Sequence, residues 1–284
     1  MSNTAISGTF MNSPSLSVTS LTIYPVKSLA GISLPSAKLE NRGFKYDREW
    51  MIVTEGGQFL TQRELAPMAL IQTAILEHTL RLTMPLGDSV EVPLSIEKSP
   101  VDAKVMTVKV WSDTCQALDQ GDEAAGMLSR YLERKVRLVR MEPSFNRIVD
   151  QRYANSPDNV VSFADGFPVL VISDESLAEL NRRLEYPLPM NRFRPNITIG
   201  GSDAFAEDGW SEIAIDNVKL SLVKPCARCQ ITTIDQDTAE ASQEPLKTLS
   251  FFRKDSGKVM FGQNAIPQNS GEIRLGDSVL VTAK

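Results

Sequence analysis

Two cysteines three positions apart are the strongest chemical signal in this 284-residue sequence. Cys226 and Cys229 lie in the segment KPCARCQ, and such a pair can chelate a metal, form a redox disulfide, or supply one thiolate beside a passive neighbour. A structural zinc site needs a second pair of cysteine or histidine ligands. The chain offers only Cys115 and His78 in addition, so a zinc site made of these residue types would have to use all four.

The residues that follow the pair bear on its chemistry. A thioredoxin-like pair opens a helix after a strand, because the helix N-terminus lowers the thiol pKa. Here Ile231–Ile234 are all β-branched, which predicts a strand and places the pair at its entrance. We therefore favour one thiolate that binds a soft metal centre, with Arg228 favouring its ionised form. The competing interpretation is that both cysteines are small buried core residues.

Basic residues follow or precede several predicted strands. Lys27 and Ser28 come directly after the strand predicted at Leu21–Val26, and an ammonium group beside a hydroxyl can bind an anion. A solvated turn explains them equally well. Arg48, in YDREW, and Arg63, in TQR, each stand next to another predicted strand. Taken singly, each of these arginines predicts a surface ion pair that contributes little to stability.

A second pair of arginines lies in the segment NRFRPN. Arg192 and Arg194 alternate about Phe193, so both side chains can point to the same side of an extended segment. Pro195 disfavours a helical conformation at Arg194 and holds it extended. Two planar, forked donors can grip a phosphate group. The alternative is a charged edge strand that protects the sheet from aggregation.

Three further residues are weaker candidates. Asp165 precedes an apolar strand and could orient an arginine or hydrogen-bond a heterocycle, although an Asp-Gly turn explains it nearly as well. His78 lies among apolar residues, which predicts a satisfied core or rim histidine. Cys115 has no neighbouring ligand and is predicted to be structural.

Composition excludes several functions. A net charge of −5 and a pI near 5.2 argue against a general nucleic-acid binder. A single histidine excludes mechanisms that need two. No segment reaches the roughly 20 apolar residues of a membrane-spanning helix, and the first basic residue is Lys27, unlike a signal peptide. The odd number of cysteines indicates a reducing compartment. We therefore predict a cytoplasmic protein without nucleic-acid or membrane partners.

Many short strands and few helices favour barrels or sandwiches over a doubly wound sheet. Residues 1–18 predict a disordered leader, and the polar run 143–158 predicts a linker between residues 19–142 and 159–284. Helices are predicted at Asp122–Arg134 and at Ser173–Glu185, the latter with Ser173 as N-cap. The predicted strands are Leu21–Val26, Met51–Val53, Leu70–Leu76, Leu80–Met84, Val105–Trp111, Ile197–Ile199, Val218–Val223, Ile231–Ile234, Lys258–Phe261 and Ser278–Val281.

The motifs YPVKS, YDREW, RFRPN and CARC, taken in this order, resemble one protein family. Its members combine a MOSC N-terminal β-barrel domain with a MOSC domain, named after the C-terminal domain of molybdenum cofactor sulfurases. The motifs resemble those of the bacterial YcbX-type proteins and of the mitochondrial amidoxime-reducing component. The resemblance runs from about Leu21 to about Val281. It implies a mainly β (α+β) fold, with the MOSC N-terminal β-barrel domain at 19–142 and a MOSC β-barrel domain with a few helices at 159–284.

The resemblance also implies a cofactor, molybdenum–molybdopterin, held between the two domains. Cys229 stands at the position of the family's metal ligand and is therefore the implied catalytic residue. The implied cofactor-binding residues, with Arg63, Asp165, Arg192 and Thr232 as the weaker candidates, are Lys27, Ser28, Arg48, Arg63, Asp165, Arg192, Arg194, Asn196 and Thr232.

The activity implied is molybdenum-dependent reduction of N-hydroxylated compounds (amidoximes, hydroxamic acids and N-hydroxylated nucleobases) by oxygen transfer to the metal. Some bacterial relatives carry a ferredoxin-type domain, whose cluster needs four cysteines that this chain lacks. We therefore expect a separate electron-donor protein of the ferredoxin or flavoprotein type, and no pyridoxal phosphate. One alternative is a carrier of molybdenum cofactor, or of persulfide sulfur on Cys229. Another is a two-domain β scaffold without metal.

Overall fold

Short strands dominate residues 16–95 and 104–284, which are the parts of the chain that the computed structural model describes. The mainly β prediction is confirmed. The helices are α1 (Asp122–Tyr131), α2 (Asp174–Asn181) and α3 (Leu246–Ser250), with 3-10 turns at Ala66–Leu70, Met190–Arg192, Ala206–Gly209 and Gln230–Thr233. The strands are β1 (Ser17–Ile23), β2 (Ile32–Ser33), β3 (Ser36–Glu40), β4 (Gly43–Phe44), β5 (Trp50–Thr54), β6 (Gln72–Ile75), β7 (Thr79–Thr83), β8 (Ser89–Pro93), β9 (Val105–Val110), β10 (Asp113–Asp119), β11 (Val136–Met141), β12 (Val169–Ser173), β13 (Ile197–Gly200), β14 (Trp210–Ile215), β15 (Val218–Ala227), β16 (Lys254–Asp255), β17 (Lys258–Pro267), β18 (Gly271–Arg274) and β19 (Val279–Ala283).

Within those residues the strands form one large sheet and three small ones. The large sheet has the order β19-β14-β15-β17-β12-β13-β1-β2, with β16 paired to β17. The small sheets have the orders β5-β11-β10-β9, β18-β3-β4 and β6-β7-β8. Named strands pair antiparallel except for β12 and β13, which are parallel. Antiparallel pairing joined by short turns is what the closely spaced strand and turn signals predict.

Strands from the two ends of the chain share sheets. β1 pairs with β13, where Leu21 lies opposite Ile197, and β3 pairs with β18, where Ala37 lies opposite Ile273. The same core therefore buries residues from 18–44 together with residues from 169–279. This pairing carries the segment after β1, with Lys27 and Ser28, to the C-terminal strands. The division at 143–158 stays a prediction, since strands on both sides of it share sheets.

A second core lies within the intervening part of the chain. It packs β5, β11 and β6–β8 against α1, which buries Ala124 and Leu128. Trp50 and Leu80 are fully buried in this core. The helix predicted at Asp122–Arg134 is confirmed, but it ends at Tyr131.

One element was predicted wrongly at the cysteine pair. Residues 230–233 form a 3-10 turn instead of a strand, and Cys229 is its N-cap residue. The Thr232 and Thr233 hydroxyls donate to the carbonyls of Cys229 and Gln230 at 3.0 and 2.7 Å. Such local bonds from threonine compete with strand pairing despite the β-branched composition. The pair therefore lies at the end of a strand and the start of a helical turn.

Other predictions differ at their ends. Ser173 caps α2 as predicted, because its Oγ accepts from the Ser176 N–H at 3.1 Å, but the helix ends at Asn181. The strand predicted at Leu70–Leu76 is shorter in the structure: Leu70 ends a 3-10 turn, and β6 spans Gln72–Ile75. The predicted disordered leader extends too far: Ser17 already belongs to β1, whereas residues 1–15 lie outside the described part of the chain.

His78 and Cys115 have opposite environments. The prediction of a core or rim position for His78 is wrong, because its side chain is 68% exposed in the turn between β6 and β7. Cys115 is buried in β10, as predicted for a structural cysteine. In the parts of the chain that are described, no helix has the length and apolarity needed to cross a membrane.

A buried carboxylate anchors α2. Glu207 is fully buried and accepts hydrogen bonds from the Ser173 and Ser176 hydroxyls at 2.9 and 2.8 Å and from the Ser173 N–H at 3.3 Å. Burial raises the pKa of Glu207, and these hydrogen bonds only partly oppose the shift. The folded protein therefore holds this proton more tightly than the unfolded chain does.

Glu207→Gln should flatten the dependence of stability on pH. In the wild type, the contribution of Glu207 falls as the pH rises from about 4.3 through its raised pKa. The neutral amide removes this term, so the stability of the variant relative to wild type should rise from pH 4 to pH 8. Urea unfolding from pH 4 to 8 tests this, with the partly exposed Glu212→Gln as control. A difference between the two proteins that stays constant over this range would contradict it.

Candidate functional site

A cavity of about 120 Å³ lies where the segment after β1, the loop before β12 and the end of β15 meet. The structure brings seven of the ten predicted site residues to its wall. They are Lys27, Ser28, Arg48, Asp165, Arg194, Asn196 and Cys229. Cys226, Arg228 and Asn264 also line it. These residues are up to about 240 positions apart in the chain, so the shared sheets assemble the site.

Three of the lining residues have a left-handed backbone. The φ angles of Ser28, Arg48 and Arg194 are 69°, 47° and 55°. The extended conformation predicted for Arg192 and Arg194 is therefore wrong, because Arg194 is left-handed and Arg192 lies in the 3-10 turn Met190–Arg192. A non-glycine residue in the left-handed region costs roughly 1 kcal/mol, and such residues persist where surrounding contacts hold them. Clusters of them are typical of ligand sites. At this cavity the strained turns bring Ser28, Arg48 and Arg194 to a common wall.

Asp47 joins the two arginine segments. It is buried and accepts from the Tyr24 N–H at 2.8 Å, from Arg48 Nη1 at 2.7 Å and from Asn196 Nδ2 at 3.0 Å. Burial raises the pKa of Asp47, whereas the Arg48 charge opposes this. Sequence reasoning missed Asp47, although it lies inside the YDREW motif. It fixes Arg48 and Asn196 relative to each other.

Tyr24 is a shared support for the two arginines. The Cζ atoms of Arg48 and Arg194 lie 4.3 and 4.1 Å from the centre of its ring. Arg194 also donates to the Leu29 carbonyl at 2.7 Å. Burial lowers the pKa of Arg194 to about 10, so its guanidinium is still charged at neutral pH. A partly buried cation and a buried one are thus held side by side, with the single carboxylate of Asp47 paired to Arg48. A further anion at the cavity would offset the cost of the second charge.

Lys27 supplies a third cation. Its Nζ donates to the Phe163 carbonyl at 2.8 Å and to Asp165 Oδ1 at 2.5 Å. Burial lowers the pKa of Lys27, although the Asp165 carboxylate opposes this. Partial loss of water opposes ionisation of Asp165, but the charge and hydrogen bond of Lys27, the Trp111 N–H and the Arg63 charge together hold the pKa of Asp165 well below its usual range. The Asp165 side chain is 64% exposed and can accept further hydrogen bonds.

A buried arginine from the predicted linker fixes the loop that carries Asp165. Arg147 donates to the carbonyls of Ser162 at 2.9 Å, Ala164 at 2.5 Å and Asp165 at 3.1 Å. The segment 143–158 therefore does more than connect two parts of the chain. Sequence reasoning missed Arg147, because nothing in its neighbourhood distinguishes it from a solvated charge.

The cysteine segment has a defined geometry. Arg228 donates from Nη1 to Cys226 Sγ at 3.0 Å and from Nη2 to the Phe193 carbonyl at 2.6 Å. This guanidinium therefore contacts Cys226, and not the predicted metal ligand. Its buried Nε has no hydrogen-bond partner in the described residues. Cys226 and Cys229 are both partly buried free thiols.

Three predicted site residues do not line the cavity. Thr232 holds the carbonyl of Cys229, and Arg192 donates from Nε to the Thr232 carbonyl at 3.0 Å. Both therefore support the turn that carries Cys229. The guanidinium of Arg63 lies over the Trp111 ring at 4.4 Å. Trp111 in turn donates to Asp165, so Arg63 is near the cavity rim without lining the wall.

Comparison with known proteins agrees with this arrangement. Residues 15–135 match the MOSC N-terminal beta barrel domain, and residues 158–280 match the MOSC domain. The chain is 34% identical over 278 residues to mitochondrial amidoxime-reducing component 1 of Homo sapiens, covering 92% of this chain and 82% of that protein. The chain belongs to the MOSC family.

Other MOSC relatives show the same range of similarity. The chain is 32% identical over 280 residues to mitochondrial amidoxime-reducing component 1 of Xenopus laevis, covering 92% of this chain and 81% of that protein. It is 34% identical over 265 residues to molybdenum cofactor sulfurase of Danio rerio, covering 87% of this chain but only 31% of that protein. Since relatives named mitochondrial are among these, the cytoplasmic location stays a prediction.

The MOSC cavity suits a phosphate-bearing cofactor. Lys27, Arg48, Arg194 and Arg228 place four cationic groups around it in a protein of net charge −5. Arginine forks and an ammonium are the donors that phosphate prefers. The unpartnered Arg228 Nε is a buried donor of the kind that a missing acceptor explains. The residues present therefore fit a ligand that combines an anionic group with a metal centre that a thiolate can bind.

Proposed function

We propose that this MOSC protein is a molybdenum-cofactor-dependent reductase of N-hydroxylated compounds, with Cys229 as the metal ligand. The observation that carries the proposal is that two partly buried thiols, Cys226 and Cys229, and four cationic residues line the same cavity. A thiolate is a suitable ligand for a soft metal centre, and the cations suit a phosphate. When bound, the cofactor supplies two-electron oxygen-atom transfer chemistry.

In this proposal the side chains of the protein bind and orient the cofactor. The anionic part of the cofactor is held by residues that already lie at one wall, three of them with a strained backbone: Lys27, Ser28, Arg48, Arg194 and Asn196. Asp165 stays ionised beside Lys27 and accepts N–H groups of the heterocycle. Arg63, Arg192 and Thr232, which lie behind the wall or at its rim, support these residues.

The metal's remaining ligands would come from the cofactor. Across residues 16–95 and 104–284 there is no group of three or more His, Cys, Asp or Glu side chains placed to hold a metal ion. A single thiolate is a sufficient protein contribution if a pterin supplies the others. The proposed partners are therefore small N-hydroxylated substrates and a separate electron donor of the ferredoxin or flavoprotein type.

A carrier function is the second candidate. The similarity to molybdenum cofactor sulfurase of Danio rerio favours it, because that protein's name concerns handling of the cofactor itself. The same cavity and the same thiol would serve a carrier of cofactor or of persulfide sulfur. Only turnover separates the two functions.

The wild-type protein, purified from cells that make the cofactor, should contain about one molybdenum per chain. It should also oxidise a reduced viologen dye when an amidoxime is added, yielding the amidine. Metal analysis and anaerobic absorbance assays measure both. Molybdenum without turnover, or a persulfide on Cys229 in the mass spectrum, would favour the carrier. Absence of molybdenum from such preparations would contradict the reductase.

A further inference from the structure

An exposed tryptophan stands beside the cavity. Trp111 is 44% exposed, whereas Trp50 and Trp210 are buried. It occupies the first position of the two-residue turn between β9 and β10, with a φ of 55°. Such turns favour asparagine, aspartate or glycine, and a bulky residue there is strained. Strain of this kind persists where specific contacts hold it and is frequent at ligand sites.

Three contacts hold the indole ring of Trp111 in place. Its Nε1 donates to Asp165 Oδ1 at 3.2 Å, and the Arg63 Cζ lies 4.4 Å from the ring centre. The Phe59 ring lies 5.2 Å away, centre to centre, at an angle of 57°. Asp165 lines the cavity and pairs with Lys27, so the indole is one hydrogen bond away from the cavity wall.

This cluster differs in its contacts from the cavity wall that carries Lys27, Arg48 and Arg194. We call Phe59, Arg63 and Trp111 the aromatic rim: Trp111 and Arg63 present π surfaces, and Phe59 is buried against the indole. The wall instead presents cations and two thiols. A rigid aromatic surface binds a second planar group at little cost in conformational entropy. Stacking on the indole and the guanidinium favours a flat, conjugated ligand over a small aliphatic one. Nothing in the anchoring of a phosphate or a metal requires such a surface.

We infer that the aromatic rim binds the aryl group of the substrate and makes the protein selective for aryl over small aliphatic N-hydroxylated compounds. This inference rests on the proposed reductase function and adds a specificity-determining role for Trp111. Arg63 and Phe59 position the indole, and Asp165 sets its orientation through the hydrogen bond.

Steady-state kinetics of the molybdenum-containing protein test the inference. Trp111→Ala should raise KM for an aryl amidoxime about tenfold, the size of one good stacking contact, and should change kcat by less than about twofold. KM for acetamidoxime should not change, because it has no ring to stack. Trp111→Phe keeps a ring and loses only the indole N–H, so most of the aryl preference should remain. If Trp111→Ala changed KM equally for both substrates, or changed neither KM, the inference would be wrong.

Binding measurements separate failure of this inference from failure of the proposed function. Calorimetric titration of wild type and Trp111→Ala with the aryl amidoxime needs no turnover. If the wild type lacks molybdenum and activity, the reductase function fails, yet about tenfold weaker binding by Trp111→Ala would still support the aromatic rim. Equal binding by both proteins overturns the rim and leaves the reductase intact. Leu86→Ala, at an exposed apolar residue in the turn between β7 and β8, is the control and should bind as wild type does.

Discussion

Replacing Cys229 by alanine should remove molybdenum from the protein and lower turnover of an amidoxime by more than about 100-fold. Loss of residues that merely orient metal ligands costs about 10–100-fold in affinity or activity, and loss of a ligand itself should exceed that. Among the described residues, no group of three or more His, Cys, Asp or Glu side chains could hold the metal without this thiolate. Metal analysis of the purified variant, followed by kinetics with a reduced dye, provides the measurement.

Two controls make the Cys229 result specific. Cys226→Ala removes the other thiol of the cavity and should retain molybdenum, because the proposal gives the metal to Cys229 alone. Folding of Cys229→Ala should be unaffected, because Thr232 bonds to the backbone carbonyl of Cys229 and not to its sulfur. Thermal unfolding checks this. If Cys229→Ala retained molybdenum, or if only Cys226→Ala lost it, the proposal that Cys229 is the metal ligand would be wrong.

Asp47→Ala should be the most destabilising substitution at the site. The carboxylate is buried and bonded to Tyr24, Arg48 and Asn196. Removing one partner of a buried ion pair leaves an uncompensated charge, here on Arg48, and costs about 3–5 kcal/mol. Because Asp47 also links the arginine segments, the variant should purify with less molybdenum. Urea unfolding and metal analysis measure the two effects.

The matched control is an exposed ion pair made by another aspartate. Asp150 pairs with Arg152 at 2.6 Å on the surface, so Asp150→Ala should leave the midpoint of urea unfolding unchanged. Asp47→Asn separates charge from shape, since it preserves volume but cannot compensate Arg48. It should lie between wild type and Asp47→Ala. Wild-type stability in Asp47→Ala would show that Arg48 does not depend on this carboxylate.

Local motifs and the family resemblance together selected most of the residues that line the cavity. Short motifs singled out Lys27, Arg194 and the cysteine pair, whereas only the resemblance assigned Arg48 to the site and the metal to Cys229. The local backbone was not predictable in the same way, because Pro195 predicted an extended Arg194 and the structure has a left-handed one. The mainly β fold was predictable, because the period of apolar residues and the spacing of turns are local properties.

Residues whose role depends on a distant partner escaped prediction. Asp47 accepts a hydrogen bond from Asn196, 149 positions away, and Trp111 donates one to Asp165, 54 positions away. Arg147 binds three carbonyl groups of a loop that begins at Ser162. In sequence each of these is an ordinary charged or aromatic residue near a turn. Asp47 and Asn196 meet where β1 pairs with β13, whereas the other contacts join turns and loops that no local pattern places together.

The strand predicted after the cysteines failed for a related reason. β-Branched composition favours a strand, but a strand also needs a neighbour to bond with. At residues 230–233 the threonine hydroxyls and the side chain of Arg192 occupy the carbonyls instead. The sequence alone therefore determined which side chains are able to bind an anion and a metal. The tertiary structure decided which of them meet at one cavity, because hydrogen bonds and burial depend on segments that local patterns do not bring together.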